Sequence, residues 1–316
     1  MNFVERSEGE VKQVFWTRMP VVFLAAFFCC ALWGSASPSI KIGYELFSIG
    51  ADDTPARILF AGIRFTIAGL MVILYASIRS RHWLVPKRES WKYVAVLALT
   101  QTILQYIFFY MALAHTSGVR GSIINAAGTF FSIFLAVAVF HFEKLTIQKV
   151  LGSLLGFAGV VVIVTGGDAS TMSGGFSFAG EGAMLLAAFI SASAGCFIKL
   201  FSKHEDPVVL SGWQFFIGGI VMVLIGTIAG AKLHMTSSAA IVLILYMGFI
   251  SAGAYTLWGI LLKYNPVSRI TILGFMNPVM GVILSAIFLR EGGEALQWTT
   301  VLALVLVSLG IVVTNR

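Results

Sequence analysis

The chain has 316 residues, of which 58% are hydrophobic and only 11% charged, against roughly 25% charged in an average soluble domain. That balance excludes a soluble globular protein and leaves almost no chain for a soluble domain beside a membrane-embedded one. The formal net charge of +7 does not mark a nucleic-acid binder, because the basic residues are scattered over short connecting segments and form no single basic face.

Residues 1–19 are polar and mixed in charge, and read as a cytoplasmic N-terminal segment. Ten apolar stretches follow, at 21–43, 58–78, 93–114, 119–140, 148–166, 181–200, 208–230, 239–262, 267–289 and 298–314. A hydrocarbon core of ~30 Å takes about 20 helical residues per crossing. The runs are continuous rather than alternating, so they read as helices and not as barrel strands. The predicted fold class is therefore all-α, with ten transmembrane helices. Val21–Leu32 mimics the apolar part of a signal peptide, but the run is long and has an internal counterpart, so it reads as a retained helix. Cys29, Cys30 and Cys196 fall inside spans and form neither a disulfide framework nor a metal-ligand pattern.

Spans one to five and six to ten repeat one another. Ser35, Ala36, Ile40 and Lys41 match Ser193, Ala194, Ile198 and Lys199 at one constant offset. Arg64, Phe65 and Gly69 match Gln214, Phe215 and Gly219, while Val119, Thr129 and Glu143 match Val267, Asn277 and Glu291. Gly159 before three β-branched residues matches Gly310 before Ile311, Val312 and Val313. Five spans per copy is an odd number, so the second copy is inverted. The expected organisation is a first five-helix repeat at 20–166, an outer linker at 167–180 and a second repeat at 181–316. Inverted repeats of this kind characterise secondary transporters whose site lies between the copies.

Basic residues set the orientation. Arg79, Arg81, Lys87, Arg88, Lys92, Lys144, Lys149 and Lys203 fall on the side of the N-terminus, against Lys41, Arg57, Arg120, Lys232 and Arg290 on the other. Both termini are expected in the cytoplasm.

Trp33-Gly34-Ser35 with Ile40 to Gly43, then Arg64-Phe65, Glu143 to Thr146, Asn277-Pro278 and Leu289-Arg290-Glu291, resemble the EamA-type transporters of the drug/metabolite transporter superfamily. The resemblance covers residues 21–314. It implies two inverted five-helix repeats, with helices 1–4 and 6–9 around a central cavity and helices 5 and 10 outside. It also implies transport of small solutes, often export of amino acids or other metabolites, across a bacterial inner membrane. The family often has Pro within the fourth helix, whereas here Thr129-Phe130 stands opposite Asn277-Pro278. The two halves are therefore expected to bend unequally.

Arg64 is the costliest residue to place, about 10 Å into its span at 1.5 Å per residue, where insertion of a charge costs at least ~2.5 kcal/mol. One reading is a cavity Arg that receives a carboxylate or another anionic group. The other is a structural Arg bonded to helix-end carbonyls and Glu181. No Asp or Glu lies comparably deep, which disfavours a lipophilic-cation/proton antiporter and favours neutral, zwitterionic or anionic solutes.

In the fourth span, Ser122, Asn125, Thr129 and Ser132 share one helical face, and Gln101, Gln105, Tyr106 and Tyr110 gather in the third. Lining of a hydrated cavity and interhelical hydrogen bonding are the two readings of these faces. Trp33, Gln214, Tyr255, Trp258 and Asn277 complete the candidate substrate-binding set, as aromatic and polar walls for a small amphipathic solute. Glu143 and Glu291 end the fourth and ninth spans, where a carboxylate opposes the helix dipole. Each is expected to need a partner, Lys144 or Lys149 for the first and Arg290 for the second, as a gate or as a helix-end network. Gly152, Gly156 and Gly159 serve helix packing or a homodimer face.

The expected function is a secondary transporter that exports a small metabolite by alternating access. An uncoupled exchanger or facilitator is the same-class alternative. An intramembrane enzyme has little support: no His-Glu-x-x-His occurs, and His82, His115, His141, His204 and His234 are unclustered. No catalytic residue, metal or cofactor is expected; the partners are the solute and the bilayer.

Overall fold

The computed structural model describes residues 14–50, 52–142, 144–165, 176–265, 270 and 273–314, and every regular element among them is helical. Eight helices are long and apolar enough to cross a membrane. They are α1 (Met19–Leu46), α2 (Thr54–Ser80), α3 (Arg88–His115), α4 (Gly118–Val139), α5 (Ile147–Thr165), α6 (Phe178–Phe201), α7 (Pro207–Ile228) and α8 (Ala239–Tyr264). Two shorter apolar helices follow, α9 (Met276–Phe288, 13 residues) and α10 (Trp298–Thr314, 17 residues). The span expected at 267–289 thus appears as α9 from Met276 onward, with 266–269 and 271–272 outside the described residues.

Local chemistry fixes where the helices start. Asp53 accepts a hydrogen bond from Ala56 N at 3.0 Å ahead of α2, and Asp206 accepts from Val208 N at 2.8 Å ahead of α7. Pro55 and Pro207 occupy the first turn of these helices, where a missing N–H costs nothing. Ser117 caps α4 through Arg120 N at 3.0 Å.

Without a hydrophobic drive between helices in lipid, close backbone approach at small residues holds them together. α2 and α7 cross in this way: a Cβ on Gly62 would sit 2.6 Å from Val223 N, and one on Gly226 would sit 2.8 Å from Leu59 N. α5 pairs with α10, where a Cβ on Gly159 would sit 2.8 Å from Ala303 O and one on Gly310 would sit 2.7 Å from Gly152 O. Gly156 lies against the Phe130 ring. The Gly152, Gly156, Gly159 stripe is therefore covered by this chain's own α10 and α4, and is not a homodimer face. Its backbones touch too closely for the stripe to serve two partners. The opposite side of α5 carries exposed Leu151, Leu154 and Val161, an apolar surface suited to lipid.

Candidate functional site

Arg64 projects from α2 into the middle of the bundle and is 2% exposed. Its Nε donates to Met247 O at 3.1 Å, Nη1 to Tyr110 Oη at 2.9 Å and Nη2 to Ser251 Oγ at 3.0 Å. These bonds tie α2 to α3 and α8. The rings of Phe65 and Tyr106 flank the guanidinium, with centroids 4.9 and 5.8 Å from Cζ. All three acceptors are neutral, and among the described residues no carboxylate pairs with it. The structural role expected for Arg64 uses a mid-helix carbonyl and two hydroxyls, not helix-end carbonyls or Glu181. Glu181 instead pairs with Arg120 at 3.4 Å.

Arg64 forms part of the wall of a central chamber of about 310 Å³. Trp33, Gln101, Gln105, Tyr106, Asn125, Tyr255, Trp258 and Asn277 line the same space, with Ser37, Ser122, Ser191 and Ser211 between them. Trp33 packs edge-on against Trp258 and Tyr255, with centroids 5.1 and 5.5 Å apart. The Tyr106 and Tyr255 hydroxyls meet at 3.1 Å. Two buried polar atoms on this wall have no protein partner, the donor Trp33 Nε1 and the acceptor Gln105 Oε1. An unmet buried group costs ~1–3 kcal/mol, which a bound solute or water would offset. Gln214, from the expected lining set, does not face this space. It is fully buried behind Gln101, to whose Oε1 its Nε2 donates. The identity of the residue was readable from the repeat, but the direction it faces was not.

Beyond Asn125, Ser191 and Asn277, which border both spaces, the chamber joins a wider vestibule of about 920 Å³. Thr129 lies in the vestibule and not in the chamber, with Ser132, Thr146, Gln148, Lys149 and Lys199. Where the two spaces meet, α4 breaks at Ala126 and the ninth span turns at Gly274–Phe275. Thr129 N donates to Ala126 O at 3.1 Å, and Asn277 N to Gly274 O at 3.0 Å. The two breaks fall at matching positions although only one is followed by a proline. Irregular backbone at this depth is tolerated where it borders a cavity, and both breaks border this one.

The model of the EamA-like transporter family matches residues 20–165 and, separately, residues 178–316. The chain belongs to this family. It is similar to a WAT1-related chloroplastic protein of Arabidopsis thaliana, 28% identical over 92% of this chain and 67% of that one. It is also similar to an uncharacterized transporter of Synechocystis sp., 26% identical over 92% of this chain and 88% of that one. A probable amino-acid metabolite efflux pump of Salmonella typhimurium is 26% identical over 81% of this chain and 85% of that one. One crystal structure superposes with a TM-score of 0.65 at 20% identity, covering 94% of this chain and 96% of that one, a likeness of fold. The protein is thus a multi-pass membrane transporter of the EamA family.

At the end opposite the vestibule, this EamA-family chain is tightly closed. A Cβ on Gly281 would sit 2.5 Å from Ser122 Oγ, and one on Gly118 would sit 2.7 Å from Ser285 Oγ. Glu291 accepts from Gly118 N at 3.1 Å and Val119 N at 3.0 Å, and lies 3.7 Å from Lys41 Nζ. Its partners are therefore the first turn of α4 and Lys41, not Arg290. A carboxylate that opposes its own helix's dipole sits favourably on the N-terminus of another. Glu143 lies outside the described residues. Beside this contact Arg120 and Glu181 form a buried ion pair, with Glu181 also accepting from Thr116 Oγ1 at 3.3 Å and Ser177 N at 3.0 Å. Sequence reasoning missed Glu294, on the short helix Gly292–Ala295. It is held above the ordinary carboxylate range by burial and by the neighbouring Glu291, against the opposing hydrogen bond from Ser117. The signal was present: the offset relating Gly159 to Gly310 also relates Glu143 to Glu294 and Leu145 to Leu296.

Proposed function

We propose that this EamA-family protein is a secondary transporter that exports a small, amino-acid-sized metabolite, neutral, zwitterionic or anionic, across the cytoplasmic membrane by alternating access. The observation that carries the reading is the continuous polar path from the vestibule through the Asn125–Asn277 neck to the chamber at Arg64, closed beyond by Glu291 on α4. A space of a few hundred Å³ with aromatic walls and few oriented polar groups suits one small amphipathic solute. The similarity to a Salmonella protein named as a probable amino-acid metabolite efflux pump supports export.

Two matches of one family model, with equivalent breaks at Ala126 and Gly274, support ten transmembrane helices arranged as two inverted five-helix repeats. The basic residues Lys149 and Lys199 on the vestibule wall, with Lys87 and Lys203 at the neighbouring side opening, support that side, and both termini, as cytoplasmic. In this orientation the state described is open to the cell interior. The test is efflux of a labelled metabolite pool from proteoliposomes, compared with the triple variant Arg64→Ala, Gln105→Ala, Asn125→Ala. Efflux above empty vesicles that is lost in a folded triple variant is the expected result. Undiminished efflux removes the chamber as the substrate site.

A further inference from the structure

The chamber does not end at its aromatic walls. Gly195 and Ile198 on α6, Pro207 at the start of α7 and Gly259 on α8 border both the chamber and a side opening of about 580 Å³. These four make an apolar slot, and beyond it lies a charged rim with Lys87, Lys203, Glu205 and Asp206. The two glycines of the slot differ from those that hold the bundle together. A Cβ on Gly62 or Gly226 would strike facing backbone. One on Gly195 would meet nothing within 4 Å, and one on Gly259 would meet Pro207 Cβ at 3.8 Å, an ordinary contact. Glycine inside a helix is less stable than alanine, and no close helix contact accounts for it at these two positions. What the missing side chains do is keep the slot open into the chamber.

From Gly195 to Ile198 the helix rises roughly 4.5 Å, the reach of about four methylene groups. We propose that this slot holds the tail of the transported solute, which has a compact polar head and a slender apolar side chain of about four carbons, and that Gly195 and Gly259 set that length. The proposal rests on the chamber being the substrate site, as read above. The head is received where the chamber wall has unmet groups. Gln105 is 6% exposed and its Oε1 is free to accept an N–H or O–H, while Trp33 Nε1 is free to donate to an oxygen. A head that offers both a donor and an acceptor meets both groups, as that of an α-amino acid does. The tail exchanges water for apolar wall, and each methylene buried there strengthens binding by up to about four-fold. A tail longer than the slot gains nothing further, because it emerges at the charged rim.

The experiment uses L-α-amino acids whose unbranched side chains lengthen in steps: alanine, 2-aminobutyrate, norvaline, norleucine and 2-aminooctanoate. Dissociation constants come from thermal stabilisation of the purified full-length protein, and efflux from proteoliposomes gives KM and kcat. Affinity is expected to rise about two- to four-fold per carbon from alanine to norleucine and to level off at 2-aminooctanoate. Gly195→Leu is expected to weaken norleucine about ten-fold or more, in Kd and in KM, and alanine by less than about two-fold. Without ligand, Gly195→Ala and Gly195→Leu should melt no lower than wild type, which a packing glycine would not allow. Gly259→Ala is expected to act on norleucine in the same direction, by about two- to four-fold. Affinity that is flat or falls with length in the wild type, or that keeps its wild-type length dependence in Gly195→Leu, overturns the proposal. So does a lowered melting temperature in both Gly195 variants. Binding and export of alanine and 2-aminobutyrate with the longer members excluded removes the slot and leaves the transporter reading standing. Binding of no member overturns the head assignment at Gln105 and Trp33 and the slot with it, while efflux of the metabolite pool still decides the transporter reading.

Discussion

Tyr106 on α3 and Tyr255 on α8 face each other across the chamber, hydroxyl to hydroxyl at 3.1 Å, and are separated by 149 residues. That separation is within one residue of the one between Arg64 and Gln214. Under the proposed duplication the two tyrosines are counterparts, and the pseudo-twofold axis passes between them. Each hydroxyl completes the other, since either can donate. Tyr106→Phe and Tyr255→Phe should each lower thermal stability, and the double variant should be no worse than the poorer single one. The expected coupling is on the order of 0.5–1.5 kcal/mol, measured by a double-mutant cycle on unfolding in detergent. Additive losses would show that the hydroxyls act separately.

Arg64 holds three acceptors in fixed directions, on Met247, Tyr110 and Ser251. A lysine keeps the charge, but its three N–H groups radiate from one nitrogen and do not match acceptors spread over three guanidinium nitrogens, so Arg64→Lys is expected to lose at least one of these bonds. The expected loss is ~1–3 kcal/mol per unmet group, read as a drop in melting temperature. Tyr110→Phe and Ser251→Ala should each reproduce part of it. Unchanged melting in Arg64→Lys would mean that the charge and not the bonding pattern holds the helices.

How much of this was legible in the sequence depended on whether a residue's meaning is local. Arg64 stood out because a charge at that depth is costly wherever it points. The face of α4 from Ser122 to Ser132 followed from helical periodicity. Gln214 could not be assigned, because its neighbour Gln101 is brought to it only by the crossing of α3 and α7. Glu291 was expected to seek Arg290, its chain neighbour. Its partners, the first turn of α4 and Lys41, are distant in sequence and become neighbours only when α1, α4 and α9 close together.

The crossing of α2 and α7 sets the chamber's position, and Gly69 and Gly219 permit it by lying directly on the facing backbone at Phe216 and Thr66. Gly69→Ala or Gly219→Ala forces the helices apart, with an expected cost of about 1–3 kcal/mol. Gly293→Ala, where a Cβ meets nothing within 4 Å, is the matched control and should melt within a degree or two of wild type. Equal melting of all three would place the tight contact elsewhere.

Glu294 gives the closed end a pH dependence of definite sign. Its proton affinity in the folded chain is raised, first by burial and then by Glu291. A carboxyl with a raised folded value adds stability that is fully present below the ordinary carboxylate range. That stability is lost as pH rises through the raised value. Acid should therefore favour this end closed, relative to a Glu294→Gln variant that stays neutral throughout. The check is melting temperature from pH 4 to 8: the variant should gain on wild type as pH rises, and parallel curves would contradict the assignment.

Glu291 is the side chain through which the segment after α9 holds the first turn of α4, so removing it should loosen the closed end without touching the chamber. Ser285 reports on this. It is fully buried against Gly118, and its hydroxyl has no partner, so Ser285→Cys breaks no hydrogen bond. The native Cys29, Cys30 and Cys196 are all buried, which keeps the background low. A membrane-impermeant thiol reagent applied from the Glu291 side should label Ser285→Cys slowly. Adding Glu291→Ala should speed labelling at least ten-fold, because two α4 N–H groups and Lys41 lose their carboxylate and the closed arrangement loses its charge-assisted bonds. Glu291→Gln, which can still accept a hydrogen bond, should fall between the two. If labelling of Ser285→Cys is equally slow in all three backgrounds, the glycine-mediated packing of α1, α4 and α9 closes this end and Glu291 is not its latch.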